Sequence, residues 1–123
     1  MQWKARGNLS AAKLLLGADD AHFNACVSRA YYAAYQACWA AMVVEGHEPT
    51  PSARGGAYFR HATLPKEARE AAVLNAQESK DLELLEQWRA VADYWNDSLT
   101  KELATQACGL AARLVNALVD EDG

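Results

Sequence analysis

Two short strings of the sequence bring arginines and aromatic residues close together. The first, SRAYYAAY at 28–35, holds Arg29 and three tyrosines within about two helical turns of an otherwise apolar segment. A buried guanidinium is costly without a partner, so Arg29 is expected to meet a carboxylate or a bound anion. Asp93 is the candidate carboxylate, and a salt bridge between these two residues across the protein is the simplest structural role.

The second string is WRAVADYW at 88–95. Arg89 and Asp93 are four residues apart, so on a helix they face the same side and can pair with each other or with a third group. An isolated surface ion pair contributes little to stability, and packing beside such a pair is one interpretation of the string. Aromatic side chains next to an arginine also suit a nucleobase and its phosphate, which is the alternative.

A third candidate lies in the segment between these strings, where Arg54 and His61 are separated by six residues. Two glycines follow Arg54 and would leave it poorly held, whereas catalysis requires fixed geometry. The segment is better suited to phosphate contact as a basic patch than to catalysis, although a solvated face is the default interpretation. The patch would comprise Arg54, Arg60, His61, Lys66 and Arg69.

Few other side chains suggest a site. His22 and His47 have no second ligand at metal spacing, so no metal and no cofactor are expected. Glu83 and Glu86 resemble a solvated helix face. The cysteines at positions 26, 38 and 108 are odd in number and lack a Cys-x-x-Cys spacing, which predicts reduced, buried thiols.

The charge and hydropathy of the chain exclude several classes of function. A net charge of −4 argues against a broad basic surface for duplex DNA, while a local basic cleft stays compatible with it. No apolar secretion segment opens the sequence, and the most apolar stretch, 30–44, is shorter than the roughly 20 residues of a membrane helix. We therefore expect no membrane association and a cytoplasmic location.

The composition predicts an all-α protein. Alanine is abundant, isoleucine is absent, and glycine and proline are few. Apolar residues recur at helical spacing over 3–16, 21–45, 65–74, 80–95 and 99–119, with a loop at 46–56 and a short helical piece at 57–62. Short connections between long helices predict an antiparallel up-and-down bundle of four to five helices, forming a single domain over 1–123.

The two strings together resemble the small HEPN proteins of bacteria and archaea, through SRAYYA at 28–33 and Arg-x-x-Ala-Asp-Tyr at 89–94. The resemblance extends over nearly the whole chain: a first helix that ends in LLL, a tyrosine-rich helix, a Gly/Pro loop, Leu-Pro opening a helix, and a long final helix. It implies a HEPN-like bundle that dimerises through its central helices. It also implies, for many members, partnership with a minimal nucleotidyltransferase as a toxin–antitoxin pair.

The same resemblance defines what an active member would carry. Active HEPN ribonucleases have an arginine followed, after four to six residues, by a histidine, and the pair lines a dimer cleft where a ribose 2′-OH attacks the phosphate. Arg89 matches the arginine, but Asp93 and Tyr94 occupy the stretch where the histidine would lie. An ionised aspartate cannot donate a proton and repels phosphate.

The leading hypothesis is therefore a non-catalytic HEPN binding or regulatory module that binds a nucleotide-bearing ligand, RNA or a nucleotidyltransferase partner. The residues expected to line its site are Arg29, Tyr32, Arg89, Asp93 and Tyr94. The resemblance further implies that Tyr94 is a candidate acceptor of a nucleotidyl group. One alternative is an active, metal-independent ribonuclease toxin that uses Arg89 and His61; another is a purely structural helical adaptor. A homodimer is expected, because so small a bundle should not cover the apolar helix at 21–45 on every side.

Overall fold

The computed structural model describes residues 1–18, 22–53, 55–94 and 99–119. Within these residues five helices and one short hairpin follow in order. The elements are α1 (Gln2–Leu16), α2 (Phe23–Val44), β1 (Thr50–Pro51), β2 (Ala57–Tyr58), α3 (Leu64–Glu70), α4 (Ala76–Tyr94) and α5 (Lys101–Leu118). The expected all-α, HEPN-like bundle is confirmed.

Helix α2 forms the centre of the bundle and packs against α1, α4 and α5. Its alanines at positions 30, 33, 34 and 37 are fully buried, and these small side chains let the neighbouring helices approach closely. A single chain thus covers most of α2, and the large apolar side chains that it leaves exposed on this helix are Val43 and Val44, in the last turn. The argument that α2 needs a second subunit to cover it is therefore not supported by its burial.

The hairpin lies where the sequence predicted a loop and a short helical piece. Thr50 pairs with Tyr58 and Pro51 with Ala57 in an antiparallel register. Gly55 and Gly56 both have positive φ, 88° and 74°, a backbone region that glycine adopts without steric cost. The predicted helix at 57–62 is wrong, because the chain leaves this glycine turn as a strand.

The junction of α3 and α4 also departs from the prediction. Helix α3 ends at Glu70 rather than at 74, and Ala72 has a φ of 60°, so the chain turns sharply there. Asn75 then begins α4 with a reciprocal cap: its Oδ1 accepts from Glu78 N at 2.8 Å, and its own N–H donates to Glu78 Oε1 at 2.9 Å. Residues 76–79, which fall between the predicted helices at 65–74 and 80–95, are thus the first turn of α4.

None of the helices within the described ranges combines the length and the hydropathy needed to cross a membrane.

Candidate functional site

Arg89 is a charged residue buried in the bundle, with only 7% of its surface exposed. Both carboxylate oxygens of Glu86 accept from its Nη2, at 2.8 and 3.0 Å. Asp93 Oδ2 lies 3.6 Å from Nη1, and the Tyr94 hydroxyl accepts from Nη1 at 3.4 Å. These partners sit three, four and five residues away on α4, so helical geometry alone brings them to one side.

Aromatic rings surround the same guanidinium. Its Cζ lies 5.1 Å from the ring centre of Tyr31, 5.8 Å from that of Tyr32 and 5.7 Å from that of Tyr94. A guanidinium within about 6 Å of an aromatic face is attracted by the ring quadrupole. The tyrosines of α2 and the charged residues of α4, which the sequence presents as separate strings, therefore form one site.

His61 reaches this site from the segment between β2 and α3. Its Nδ1 forms a hydrogen bond with the Tyr31 hydroxyl. Its ring stacks on Tyr35 with centroids 4.2 Å apart and meets the edge of Tyr32 at 5.9 Å. The Tyr35 hydroxyl donates to Phe59 O at 2.5 Å and so anchors the same segment to α2. We call the full set the Arg89 cluster: Tyr31, Tyr32, His61, Glu86, Arg89, Asp93 and Tyr94.

The cluster shifts the protonation of its members. Burial, the charge of Glu86 and a hydrogen bond to Glu86 raise the pKa of Tyr31, so the phenol keeps its proton. Burial lowers the pKa of His61, Arg89 lowers it further, and Glu86 opposes them. Burial also disfavours the charged form of Arg89, but hydrogen bonding to Glu86 and its charge prevail, and the pKa of Arg89 is raised.

Tyr31 links the two halves of the cluster. Its hydroxyl is hydrogen-bonded to Nδ1 of His61, and its ring centre lies 5.1 Å from Cζ of Arg89. Glu86 in turn binds that guanidinium through both carboxylate oxygens. Nε of Arg89 is buried and has no hydrogen-bond partner among the described residues.

The structure brings together four of the five residues predicted to line the site: Tyr32, Arg89, Asp93 and Tyr94. Arg29 does not join them. It is exposed, and its Nη1 donates to Asn8 Oδ1 on α1 at 3.0 Å. The predicted salt bridge between Arg29 and Asp93 is therefore wrong, because position 29 faces α1 and solvent while Asp93 pairs with Arg89.

Two members of the cluster were assigned other roles from the sequence. Glu86 was interpreted as part of a solvated face, yet it is half-buried and holds Arg89. His61 was assigned to a basic patch and, in the ribonuclease alternative, was paired with Arg89; in the structure it turns inward onto the tyrosines of α2. Arg60 is exposed and remains available for phosphate contact, whereas Lys66 pairs with Glu70 at 4.0 Å. Arg54 lies outside the described residues.

Other features of the described chain do not add to this site. No group of three or more histidine, cysteine or acidic side chains that could hold a metal ion occurs there. An open groove of about 570 Å³ runs between α4 and α5, lined by Leu84, Trp88, Gln106, Gly109, Leu110 and Arg113. It contains no member of the Arg89 cluster.

An all-α helical bundle is the architecture that the sequence resemblance predicted. The HEPN domain model matches residues 2–122, so the chain belongs to the HEPN domain family. Membership places it among RNA-binding, nuclease-type or regulatory helical modules. No match is found among curated proteins.

Proposed function

We propose that this chain is a HEPN binding or regulatory module, and that its Arg89 cluster contacts a nucleotide or a nucleotidyltransferase partner. One observation carries the proposal: two carboxylates neutralise the buried guanidinium of Arg89. Glu86 binds it through both oxygens, and Asp93 lies 3.6 Å away. Two carboxylates and one guanidinium leave a net negative site.

Such a site is poorly built to cleave RNA. Catalysis of phosphoryl transfer needs positive groups aimed at the charge that develops on phosphate oxygens. At Arg89 the Glu86 carboxylate already occupies the Nη2 hydrogens, and both carboxylates repel a phosphate. A nucleotide would therefore bind here through its base and not through its phosphates. Among the described residues no hydrogen bond joins an imidazole to the guanidinium, and His61 is bonded to Tyr31 instead.

Tyr94 supplies the surface on which a ligand would bind. Its side chain is 74% exposed, although its hydroxyl touches Arg89 Nη1. A nucleobase can stack on such a ring, and the unsatisfied Nε–H of Arg89 would donate to a ligand oxygen if the Tyr94 ring moves aside.

A nucleotidyltransferase partner would use the same hydroxyl. The Tyr94 oxygen would form a bond to the α-phosphorus of a nucleoside triphosphate, pyrophosphate would leave, and the phenolic proton would pass to a base of the partner. HEPN domains often dimerise, and we include a homodimer in the proposal.

The binding arm is tested with the purified full chain and AMP or ATP as probes, measured by calorimetry. Tyr94→Ala should weaken binding about five- to 150-fold, since stacking on one aromatic ring contributes about 1–3 kcal/mol. Tyr58 is the matched control, because it is an exposed tyrosine on β2 outside the cluster. Equal binding by wild type and Tyr94→Ala would contradict the proposed site.

A second candidate, an active ribonuclease, is favoured by the position of His61. Its neutral imidazole is hydrogen-bonded to the Tyr31 hydroxyl, and the ring of Tyr31 packs on the guanidinium of Arg89. If the chain cleaves single-stranded RNA, both Arg89→Ala and His61→Asn should abolish cleavage, whereas His47→Asn, at an exposed histidine, should retain it. The binding-module proposal expects no cleavage above that of Arg89→Ala.

A further inference from the structure

Two cysteines that are far apart in the sequence meet inside the bundle. Cys26 on α2 and Cys108 on α5 are free thiols whose Sγ atoms lie 3.3 Å apart, across 82 residues of sequence. A disulfide bond is about 2.05 Å long, so the sulfurs need to close by only ~1.3 Å. We propose that this pair is a redox modification site that forms a reversible intramolecular disulfide when the chain meets a peroxide.

The surroundings assign different roles to the two thiols. Cys26 is fully buried, and its Sγ lies 3.2 Å from the Ala12 carbonyl oxygen of α1. Cys108 retains 7% of its surface, so of the two residues it is the more accessible to a small oxidant. Cys108 is therefore the attacking thiol, and Cys26 is the resolving thiol held directly behind it.

Protonation supports this order. The hydrogen bond shared with Cys26 lowers the pKa of Cys108, burial opposes this, and the charge of Lys13 lowers it further. The same bond raises the pKa of Cys26, which keeps its proton. The third thiol, Cys38, has its pKa raised to about 12, chiefly by burial, and has no sulfur partner among the described residues.

The reaction balances with hydrogen peroxide as the oxidant. The Cys108 thiolate attacks one peroxide oxygen, the O–O bond breaks, and the released hydroxide takes a proton to become water. Cys26 then attacks the Cys108 sulfenic sulfur, the S–O bond breaks, and a second water leaves with the Cys26 proton. Two thiols and one peroxide thus give one disulfide and two waters, and a dithiol reductant reverses the change.

The bridge would link α2 to α5 across most of the chain. A cross-link that closes a long loop reduces the freedom of the unfolded state and so favours the folded one. We expect oxidation to raise Tm by on the order of 10 °C.

Peptide mapping of the full chain tests the proposal without any variant. The reduced protein is treated with hydrogen peroxide under native conditions, blocked with N-ethylmaleimide after denaturation, and digested with trypsin. Cleavage after lysine and arginine places the three cysteines on separate peptides, 14–29, 30–54 and 102–113. The expected product is peptide 14–29 joined to 102–113 with the loss of two hydrogens (about 2 Da). Dithiothreitol should release it.

Variants identify the cause of the shift in Tm. Cys38→Ala should still form the bridge and show the rise in Tm, whereas Cys26→Ala and Cys108→Ala should show neither. Three maleimide-labelled cysteines after oxidation would overturn the proposal. So would sulfinic acid at Cys108 without the joined peptides, a bridge that includes Cys38, or an equal rise in Tm in Cys108→Ala.

Discussion

The hydroxyl of Tyr31 and Nδ1 of His61 share a hydrogen bond that joins α2 to the segment leading into α3. The buried Tyr31 ring lies 5.1 Å from Cζ of Arg89, so this bond connects His61 to the Glu86–Arg89 pair. A second bond lies one turn further along α2, where the Tyr35 hydroxyl donates to Phe59 O. The two bonds together hold residues 59–61 against α2.

The first prediction concerns pH. Burial and Arg89 lower the folded-state pKa of His61 below its ordinary value of 6.5. The unfolded chain then binds the proton more readily than the folded chain. The contribution of His61 to the free energy of unfolding is therefore complete above about pH 6.5 and is lost as pH falls through the folded-state pKa. Urea unfolding between pH 7.5 and 5 measures this slope.

Replacing the histidine isolates its part in the pH dependence. His61→Gln should flatten the slope between pH 6.5 and 5, while His47→Gln, at an exposed histidine, should leave it unchanged. An unaltered slope in His61→Gln would show that other groups, such as the carboxylates of α4, control stability in this range.

The second prediction concerns Glu86. Its removal leaves the buried Arg89 with only the more distant Asp93 carboxylate, and an inadequately paired buried charge is strongly destabilising. Because the Glu86 side chain is about a quarter exposed, we expect Glu86→Ala to lower the free energy of unfolding by about 2–3 kcal/mol. Glu83→Ala, three residues earlier at an exposed position, should change it by less than about 0.5 kcal/mol. Similar losses in both variants would mean that Arg89 does not depend on this pair.

Much of the site could be predicted from helical spacing. Arg89, Asp93 and Tyr94 lie within one turn and a half of α4, so their proximity follows from the sequence. Glu86 lies three residues before Arg89, so helical spacing also predicts their contact. This contact was missed because Glu86 was placed on a solvated face. His61 could not be found in this way, because its contact with Tyr31 depends on how a segment 30 residues further along crosses α2.

The fold shows the same division. Burial of one side of each long helix follows from apolar periodicity, and the bundle was predicted correctly on that basis. The end of α3 was not predicted correctly. Ala72 there adopts a left-handed backbone conformation, which alanine rarely takes and which the sequence therefore does not indicate. The role of Arg29 was misjudged because an apolar neighbourhood in the sequence does not show which face of α2 remains exposed.

The third prediction concerns the start of α5. Thr100 caps this helix, and its Oγ1 accepts from Leu103 N at 3.1 Å. Thr100→Ala removes that acceptor and should lower the free energy of unfolding by about 1 kcal/mol. Thr105→Ala is the matched control: its hydroxyl donates to Lys101 O within the same helix, at an exposed position, and its loss should cost less than about 0.5 kcal/mol. Equal costs in urea titrations would count against the cap.

The last prediction compares Arg29 with Arg89, which were both predicted from the sequence to line the same site. Arg29 is exposed and bonded to Asn8, which also donates to Gln36 Oε1 at 2.7 Å, so Asn8 keeps a partner when Arg29 is removed. Arg29→Ala should therefore change the free energy of unfolding by less than about 0.5 kcal/mol.

Arg89→Ala should behave differently, because it leaves Glu86 and Asp93 as close carboxylates without their shared cation and opens space between the tyrosines. We expect a loss of about 2–3 kcal/mol, part of it recovered in Arg89→Ala combined with Glu86→Gln, because the double variant removes one uncompensated charge. Denaturant titration of the single and double variants measures that coupling. A cost for Arg29→Ala as large as that for Arg89→Ala would show that position 29 has a structural role beyond its contact with Asn8.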